Sequence, residues 1–415
     1  MFLFGIFLSK FIKTGQLVVI DAHGRLHRFG PGESDTDPVT IVLSDPALHW
    51  KLALHPSLYL GEAYMDGTLT MARGSMSDLL ELCGKNTTLR GVQRRRFWGR
   101  VLIQVMHRLT QWNSLSRSRR NVAHHYDLAQ DLYKSFLDSD MQYSCAYFPL
   151  PHATLDEAQK AKREHIAAKL LLKRNQKVLD IGCGWGGLAI DLARRADVRV
   201  DGVTLSPEQL QFAKERAEAA GMNHGVHFEL RDYRNLNGTY DRIVSVGMFE
   251  HVGAPYYHPF FRKLHDLLTP DGVALIHSIG SMDGPGFGNS WIRKYIFPGG
   301  YAPALSEVLP AAEASGLIVT DIEILRLHYA QTLKLWRERF LQNWDAISHL
   351  YDDRFKRMWD FYLVASEMAF RYGGLMVFQI QLAKNQHTVP LTRDYISDFE
   401  QSAAQQPSKT QERAA

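Results

Sequence analysis

Lys177–Ala193 reads KVLDIGCGWGGLAIDLA, and this stretch decides the fold. Val178-Leu179-Asp180-Ile181 is a short apolar run of the kind that forms a buried strand. Three glycines follow at alternate positions, Gly182, Gly184 and Gly186, and Leu188–Ala193 begins a helical pattern. A tight strand-to-helix turn needs glycine, because the backbone must reach unusual dihedrals and let a ligand approach closely. The helix start beyond it offers free N–H groups and the positive end of a dipole. A glycine triplet alone also fits an ordinary α/β turn. Two features set this one apart. The acid Asp180 precedes the glycines, and the spacing differs from the Gly-x-Gly-x-x-Gly of dinucleotide-binding turns.

Downstream of this turn, strand and helix patterns alternate. Val198–Leu205, Val226–Leu230 and Arg242–Val246 read as strands. Ser206–Ala220 reads as a helix, with Ser206 as N-cap and Pro207 at its first position. Tyr257–Leu268 follows as a helix, and Pro270-Asp271-Gly272 turns into a last strand, Val273–Ser278. The alternation predicts a doubly wound, mainly parallel, Rossmann-like α/β sheet. Ligands in such sheets lie at the carboxyl ends of the strands. That rule gathers Gly182–Gly186, Thr204–Gln209, Asp232-Tyr233, Gly247–His251 and His277–Gly280 onto one surface. From Ser281 to about Thr332 an insertion rich in glycine and aromatics reads either as a lid over an apolar substrate or as a structural hairpin. Leu333–Lys384 reads as long helices rich in Trp, Phe and Tyr. Residues 121–398 are thus expected to form the catalytic domain, with its helical additions, and 399–415 a polar tail.

The chain has 415 residues, 45% of them hydrophobic and 22% charged, a composition that excludes disorder and a membrane-spanning protein. Its three cysteines, Cys83, Cys145 and Cys183, are widely spaced and make neither a disulfide framework nor a zinc site; no metal is expected, and a reducing, cytosolic compartment fits. The apolar start, MFLFGIFLSKFIKTG, is too short to span a bilayer and lacks the basic start and cleavage site of a signal peptide. It reads as an amphipathic helix packed on the first domain, with insertion into a lipid surface as the alternative. Residues 1–85 form a small α+β module, with strands at Leu17–Asp21 and Val39–Leu43 and a helix at Ser77–Cys83, and with no polar constellation suited to chemistry. A basic linker, 86–120, follows. Arg90–Arg120 holds nine arginines and no acid, so with a net charge of +4 the rest of the chain is net acidic. These arginines interleave with apolar residues at helical spacing. They suit either a solvated linker or a surface that meets anionic lipid; no nucleic-acid recognition motif accompanies them.

MQYSCAYF, VLDIGCGWGG, VTLSPEQ, RDYRNL, DRIVSVGMFEHVG, IHSIG and WIRKYIFPGG occur in this order. Together they closely resemble the cyclopropane-fatty-acyl-phospholipid synthases and their mycolic-acid relatives, which are S-adenosylmethionine-dependent methyltransferases. The resemblance covers nearly the whole chain. It implies that S-adenosylmethionine is held by Tyr143 and Ser144, by Asp180 with Gly182, Gly184 and Gly186, by Thr204, Ser206 and Gln209, and by Asp232 and Tyr233. Most methyltransferases place an acid where Thr204 stands, so the threonine suits this family better than a generic small-molecule methyltransferase. The resemblance also implies a bicarbonate ion cradled by Cys145, Glu250, His277, the backbone of Ile279, and Tyr329. Singly, each of these residues has an ordinary structural use, as a small buried hydrophobe, a cap or a packing ring; jointly they make an anion site. Ser366 stands where many relatives carry a cysteine, and a reaction without a covalent nucleophile does not need that thiol.

The activity implied is transfer of a methylene group to the cis double bond of unsaturated acyl chains in membrane phospholipids. The implied partners are those lipids and an anionic membrane surface reached from the cytoplasm, with no nucleic acid. Dimerisation through the N-terminal domain is likewise what the resemblance implies. Two other readings stay open: a lipid C-methyltransferase that leaves a methyl-branched or methylene chain, and a non-catalytic lipid-binding protein.

Overall fold

The computed structural model describes residues 2–32, 37–87, 129–286 and 288–405. The arginine-rich segment 90–120 and the first part of the run from Asn121 lie outside the described residues.

The central sheet has seven strands: β5 (Lys177–Ile181), β6 (Arg199–Thr204), β7 (Val226–Leu230), β8 (Tyr240–Val246), β9 (Leu268–Ser281), β10 (Ile318–Leu325) and β11 (Leu375–Ala383), in the order β10-β11-β9-β8-β5-β6-β7. β5 pairs in parallel with β6 on one side and β8 on the other, so the chain reverses its winding direction at the carboxyl end of β5. The Gly-rich turn sits at that switch point, where open α/β sheets bind ligands.

Both faces of the sheet are covered. Val178, Val200, Val244 and Leu275 pack against the helices Leu155–Leu170, Gly187–Ala196 and Pro207–Ala219. Leu179, Ile181, Ile243 and Ile276 pack on the opposite face with helices Tyr257–Leu267 and Leu305–Glu313. Alternate residues of each strand thus feed opposite cores, and the central strands read as continuous apolar runs.

The late part of the chain differs from the sequence expectation. Leu375–Ala383 lies in β11, antiparallel between β10 and β9, and not in a helix. Pro270-Asp271-Gly272 falls within β9 and is looped out, since Tyr240 faces Leu268 and Arg242 faces Val273. The insertion is not a hairpin. It contains the helices Ser290–Tyr295 and Leu305–Glu313 and then β10, and its Trp291 is fully buried. Order continues past residue 399, in the helix Asp394–Gln405.

The N-terminal residues form a four-stranded sheet, β1 (Leu17–Ile20), β2 (Leu26–Phe29), β3 (Val39–Leu43) and β4 (Leu69–Arg73), in the order β2-β1-β3-β4. Helices Phe2–Phe11, Leu48–Leu54, Pro56–Met65 and Met76–Asn86 flank it. Its core runs without a break into the rest of the molecule: Leu43, Met65 and Leu79 belong to one apolar cluster with Phe136, Trp291, Trp336 and Trp359. Gly61 allows one close approach. A Cβ there would lie 2.6 Å from the Trp291 ring, whose indole N–H donates to Met65 Sδ at 3.1 Å. Tyr64 adds a hydrogen bond to Asp360 at 2.9 Å.

Candidate active site

A cleft opens at the carboxyl ends of β5, β6 and β8. Tyr143, Ser144, Asp180, Gly182, Gly184, Thr204, Gln209, Asp232 and Tyr233, drawn from four separate stretches of sequence, all line it. Gly184 has φ +54° and open space where a side chain would stand, so its bare backbone faces a potential ligand. Gly186 and Ser206 serve the framework instead. Gly186 caps the helix Gly187–Ala196 at φ +79°, and a Cβ there would lie 2.6 Å from the Phe228 ring. Ser206 caps the helix Pro207–Ala219 by accepting the Gln209 N–H at 3.2 Å.

Charges of both signs are buried around the cleft. Asp180 is 2% exposed and its Oδ2 has no partner. Burial pushes its carboxyl up to about 7, against the pull of the Lys162 ammonium. Lys162 is itself fully buried and donates to Gln142 Oε1 at 2.7 Å and to Ser144 Oγ at 2.8 Å. Burial brings its ammonium down to about 7. At the far end Arg234 grips Asp232 with two hydrogen bonds, 2.8 and 2.7 Å, which fixes that carboxylate at the rim. His251 also lines the cleft, and burial lowers its imidazole to about 4, leaving it neutral. Gln142, Lys162, Arg234 and His251 escaped the sequence reading. Gln142 and Arg234 lie inside quoted motifs and His251 inside the Gly247–His251 strand end, so only Lys162 carried no positional signal.

The five residues expected to cradle an anion lie beside this cleft without lining it. Glu250 stands in the short turn Phe249–His251, between the cleft residues Met248 and His251. Its Oε1 accepts the Ile279 N–H at 2.7 Å, whereas its Oε2 is buried with no partner. Burial raises the carboxyl to about 7. His277 and Ile279 are alternate residues of β9 and share a face. His277 is 2% exposed; burial, with the nearby cations Lys162 and Lys169, holds its imidazole well below the ordinary range and so uncharged. Cys145 is fully buried, its thiol pushed up by burial and so protonated, with Sγ directed to the Ala146 carbonyl at 3.3 Å.

Tyr329 begins the helix His328–Gln342, and that helix is tied to the Cys145 segment. Ala146 N–H donates to Thr332 Oγ1 at 3.1 Å, and Phe148 N–H donates to His328 Nδ1 at 2.9 Å. Cys145 and Tyr329 belong to one large apolar cluster, and Ile279 packs against it. Aromatic rings supply the surrounding wall: Trp336 packs edge-on to Tyr329 at 5.8 Å and tilted over Tyr143 at 5.1 Å, and Tyr143 and Tyr362 share a hydroxyl hydrogen bond of 2.9 Å. Among the described residues no group of His, Cys, Asp and Glu is arranged to hold a metal ion.

A family model for mycolic acid cyclopropane synthetase matches residues 113–380. Cyclopropane-fatty-acyl-phospholipid synthase of Escherichia coli (strain K12) is 38% identical over 365 residues, 88% of this chain and 92% of that protein. Tuberculostearic acid methyltransferase UfaA1 of Mycobacterium tuberculosis (strain ATCC 25618 / H37Rv) is 37% identical over 376 residues, 85% of each chain. Among solved structures, mycolic acid cyclopropane synthase CmaA1 complexed with SAH and CTAB superposes with a TM-score of 0.60 at 35% identity, over 64% of this chain and 97% of that one.

Proposed function

The chain belongs to the mycolic acid cyclopropane synthetase family, and from that footing we propose that it converts cis-unsaturated acyl chains of membrane phospholipids into cyclopropane chains. The methyl donor is S-adenosylmethionine, consistent with the SAH in the related CmaA1 structure. The cleft suits it. Asp180, with an unpaired buried oxygen, would take the ammonium of the methionine moiety, and the clamped Asp232 with Tyr233 would take the adenosine end.

An isolated alkene is a weak nucleophile, so it reacts only with a strong electrophile held in line, such as a sulfonium methyl. Its π electrons form the new C–C bond, the S–CH3 bond breaks, and a carbocation remains beside the added methyl. Loss of a proton from that methyl lets its C–H electrons close the three-membered ring. Water must stay out, or the cation becomes an alcohol. The rings of Tyr143, Trp336 and Tyr329 exclude it, and ring faces favour a cation.

The observation that carries this reading is the buried Glu250 Oε2, which has no hydrogen-bond partner, on a carboxyl tied to Ile279, two residues along β9 from the neutral, buried His277. An anion with its own O–H, such as bicarbonate, fits such a place: Glu250 Oε2 would accept its O–H, and His277 and Tyr329 would donate to it. Bound there, bicarbonate supplies a base that does not add to the cation. Cys145, protonated and pointed at a carbonyl, would shape the pocket as an inert wall.

Access to the bilayer comes from the N-terminal module, which we assign to lipid binding and assembly. In the helix Phe2–Phe11, Phe4 and Leu8 are buried, while Phe2, Leu3, Ile6 and Phe7 face solvent, so its outer face is apolar rather than polar. Among the described residues no helix is long and apolar enough to cross a membrane. Such a face, and in the sequence the charge of the arginines of 90–120, suit peripheral attachment to the inner surface of an anionic membrane. A homodimer, as the family resemblance implies, would form through the N-terminal domain.

The similarity to a tuberculostearic acid methyltransferase is nearly as high as that to the synthase, and it favours a second reading, in which the same cation loses a chain proton to leave a methyl-branched alkene, or loses a methyl proton after a hydride shift to leave a methylene branch. The test is incubation with S-adenosylmethionine and vesicles of cis-unsaturated phospholipid, followed by proton NMR of the lipids. High-field cyclopropane protons are expected. Vinylic or methyl-branch signals would establish the second reading, which mass alone does not separate because a ring and a methylene branch are isomers.

A further inference from the structure

Three strands of the central sheet bring one row of polar side chains into register. Glu323 of β10 faces Gln379 of β11, and Gln379 faces His277 of β9. Lys169, from the helix Leu155–Leu170 that covers this face, reaches into the row and bonds both Glu323 and Gln379. Lys169 and Gln379 are fully buried and His277 is 2% exposed, so water does not compete for these bonds.

The row admits one arrangement of protons. A lysine ammonium carries donors only, so the Gln379 atom that Lys169 meets at 2.8 Å is the amide oxygen. The amide nitrogen is then turned to His277 Nδ1, at 3.1 Å. That nitrogen is also a donor only, so Nδ1 presents its lone pair. A neutral imidazole with a bare Nδ1 carries its proton on Nε2.

We propose that Gln379 and Lys169 are positioning residues that fix His277 as an Nε2–H donor. Glu323 completes the device by holding Lys169 with its ammonium toward the amide. A ring fixed in this way donates a hydrogen bond from Nε2 and has no lone pair there, so it holds an anion and does not itself remove the methyl proton. The inference rests on reading His277 as part of the anion site. The tautomer can nevertheless be measured without turnover.

The experiment uses the full chain labelled with 15N-histidine, the His277 signals being assigned by their loss in His277→Gln. A pyrrole-type Nε2 and a pyridine-type Nδ1 are expected. In Gln379→Glu the carboxylate can only accept from the ring, so the proton should move to Nδ1. Turnover should then fall roughly 10- to 100-fold, the size of one hydrogen bond to a charged group, while S-adenosylmethionine affinity is retained. If Gln379→Glu does not fold, Gln379→Met removes the donor and should leave a mixture of tautomers. A proton on Nδ1 in the wild type, or an unmoved proton in these variants, overturns the proposal. A moved proton with unchanged turnover supports the positioning but overturns the anion-site reading itself.

Discussion

Glu250 binds a backbone N–H through Oε1, and the proposed anion would take its buried, unpartnered Oε2. Glu250→Gln can keep the first bond but offers a donor where an acceptor is needed. Turnover should fall by roughly 100-fold, from loss of a charge-assisted hydrogen bond of about 3 kcal/mol, while calorimetric titration finds S-adenosylmethionine affinity near that of the wild type. Full activity in this variant would remove Glu250 from the anion site. Asp180 gives a pH signature. Its carboxyl is held at about 7, and an ammonium ligand needs the ionised form. Affinity for S-adenosylmethionine should therefore weaken as pH falls below about 7, by roughly tenfold per unit; Lys162, also near 7, titrates with it as a pair. Asp180→Asn should bind more weakly and lose most of that slope. Gly186 and Ser206 show why a motif over-reads at this scale. Both lie inside ligand-binding signatures, yet one caps a helix at positive φ and the other caps a helix with its hydroxyl. Gln379 and Lys169 show the converse: each looks ordinary in sequence, and only their meeting in the fold gives them a role.

At the level of elements, the parallel half of the sheet was legible because its strands are short, carry runs or alternations of apolar residues, and are closed by turns. Thr204 through Gln209 even display the threonine, cap and proline that start a helix. β11 escaped because LMVFQIQLA is buried on both faces, and a short, uniformly buried run carries no strand period to distinguish it from the long helices before it. β10 and β11 also carry the ion cluster that clasps this edge to the helix Leu155–Leu170. Burial opposes the charge on Glu323, but His165 and Lys169 hold its carboxyl well below the ordinary range. Burial likewise opposes a charge on His165, and its bonds of 2.6 Å to Glu323 and Glu400 outweigh it, so its imidazole is raised. The carboxylate contribution is present above about 4.5, its unfolded value, and is lost as pH falls through the lower folded value. The histidine contribution is present below about 6.5 and is lost as pH rises through the higher folded value. Urea midpoints should thus be highest between these limits and decline toward pH 8. Glu323→Gln strands the buried Lys169 and should cost about 3 kcal/mol, with a weaker decline on the alkaline side.

For the whole molecule, the proposed attachment to a bilayer would run through the exposed apolar face of Phe2–Phe11. Replacing Ile6 and Phe7 by lysine should lower co-sedimentation with vesicles roughly tenfold or more, since a buried aliphatic or aromatic side chain contributes about 1.5–3 kcal/mol. The melting temperature should hardly change, because neither side chain lies in the core. Association unaffected by these changes would shift lipid contact to another surface.

The unbroken core that passes from Leu43 and Met65 through Trp291 to Trp359 has a consequence for how the chain comes apart. Two modules joined only by a tether would melt independently, with two heat-capacity peaks. Here, removing the N-terminal residues would strip the cover from Trp291, whose ring rests against Gly61 and Met65. Residues 2–87 should accordingly leave with the rest in one cooperative transition, its calorimetric and van't Hoff enthalpies in agreement. A fragment cut just ahead of residue 129 would then be less a smaller enzyme than an opened one, prone to self-association through the tryptophan it exposes.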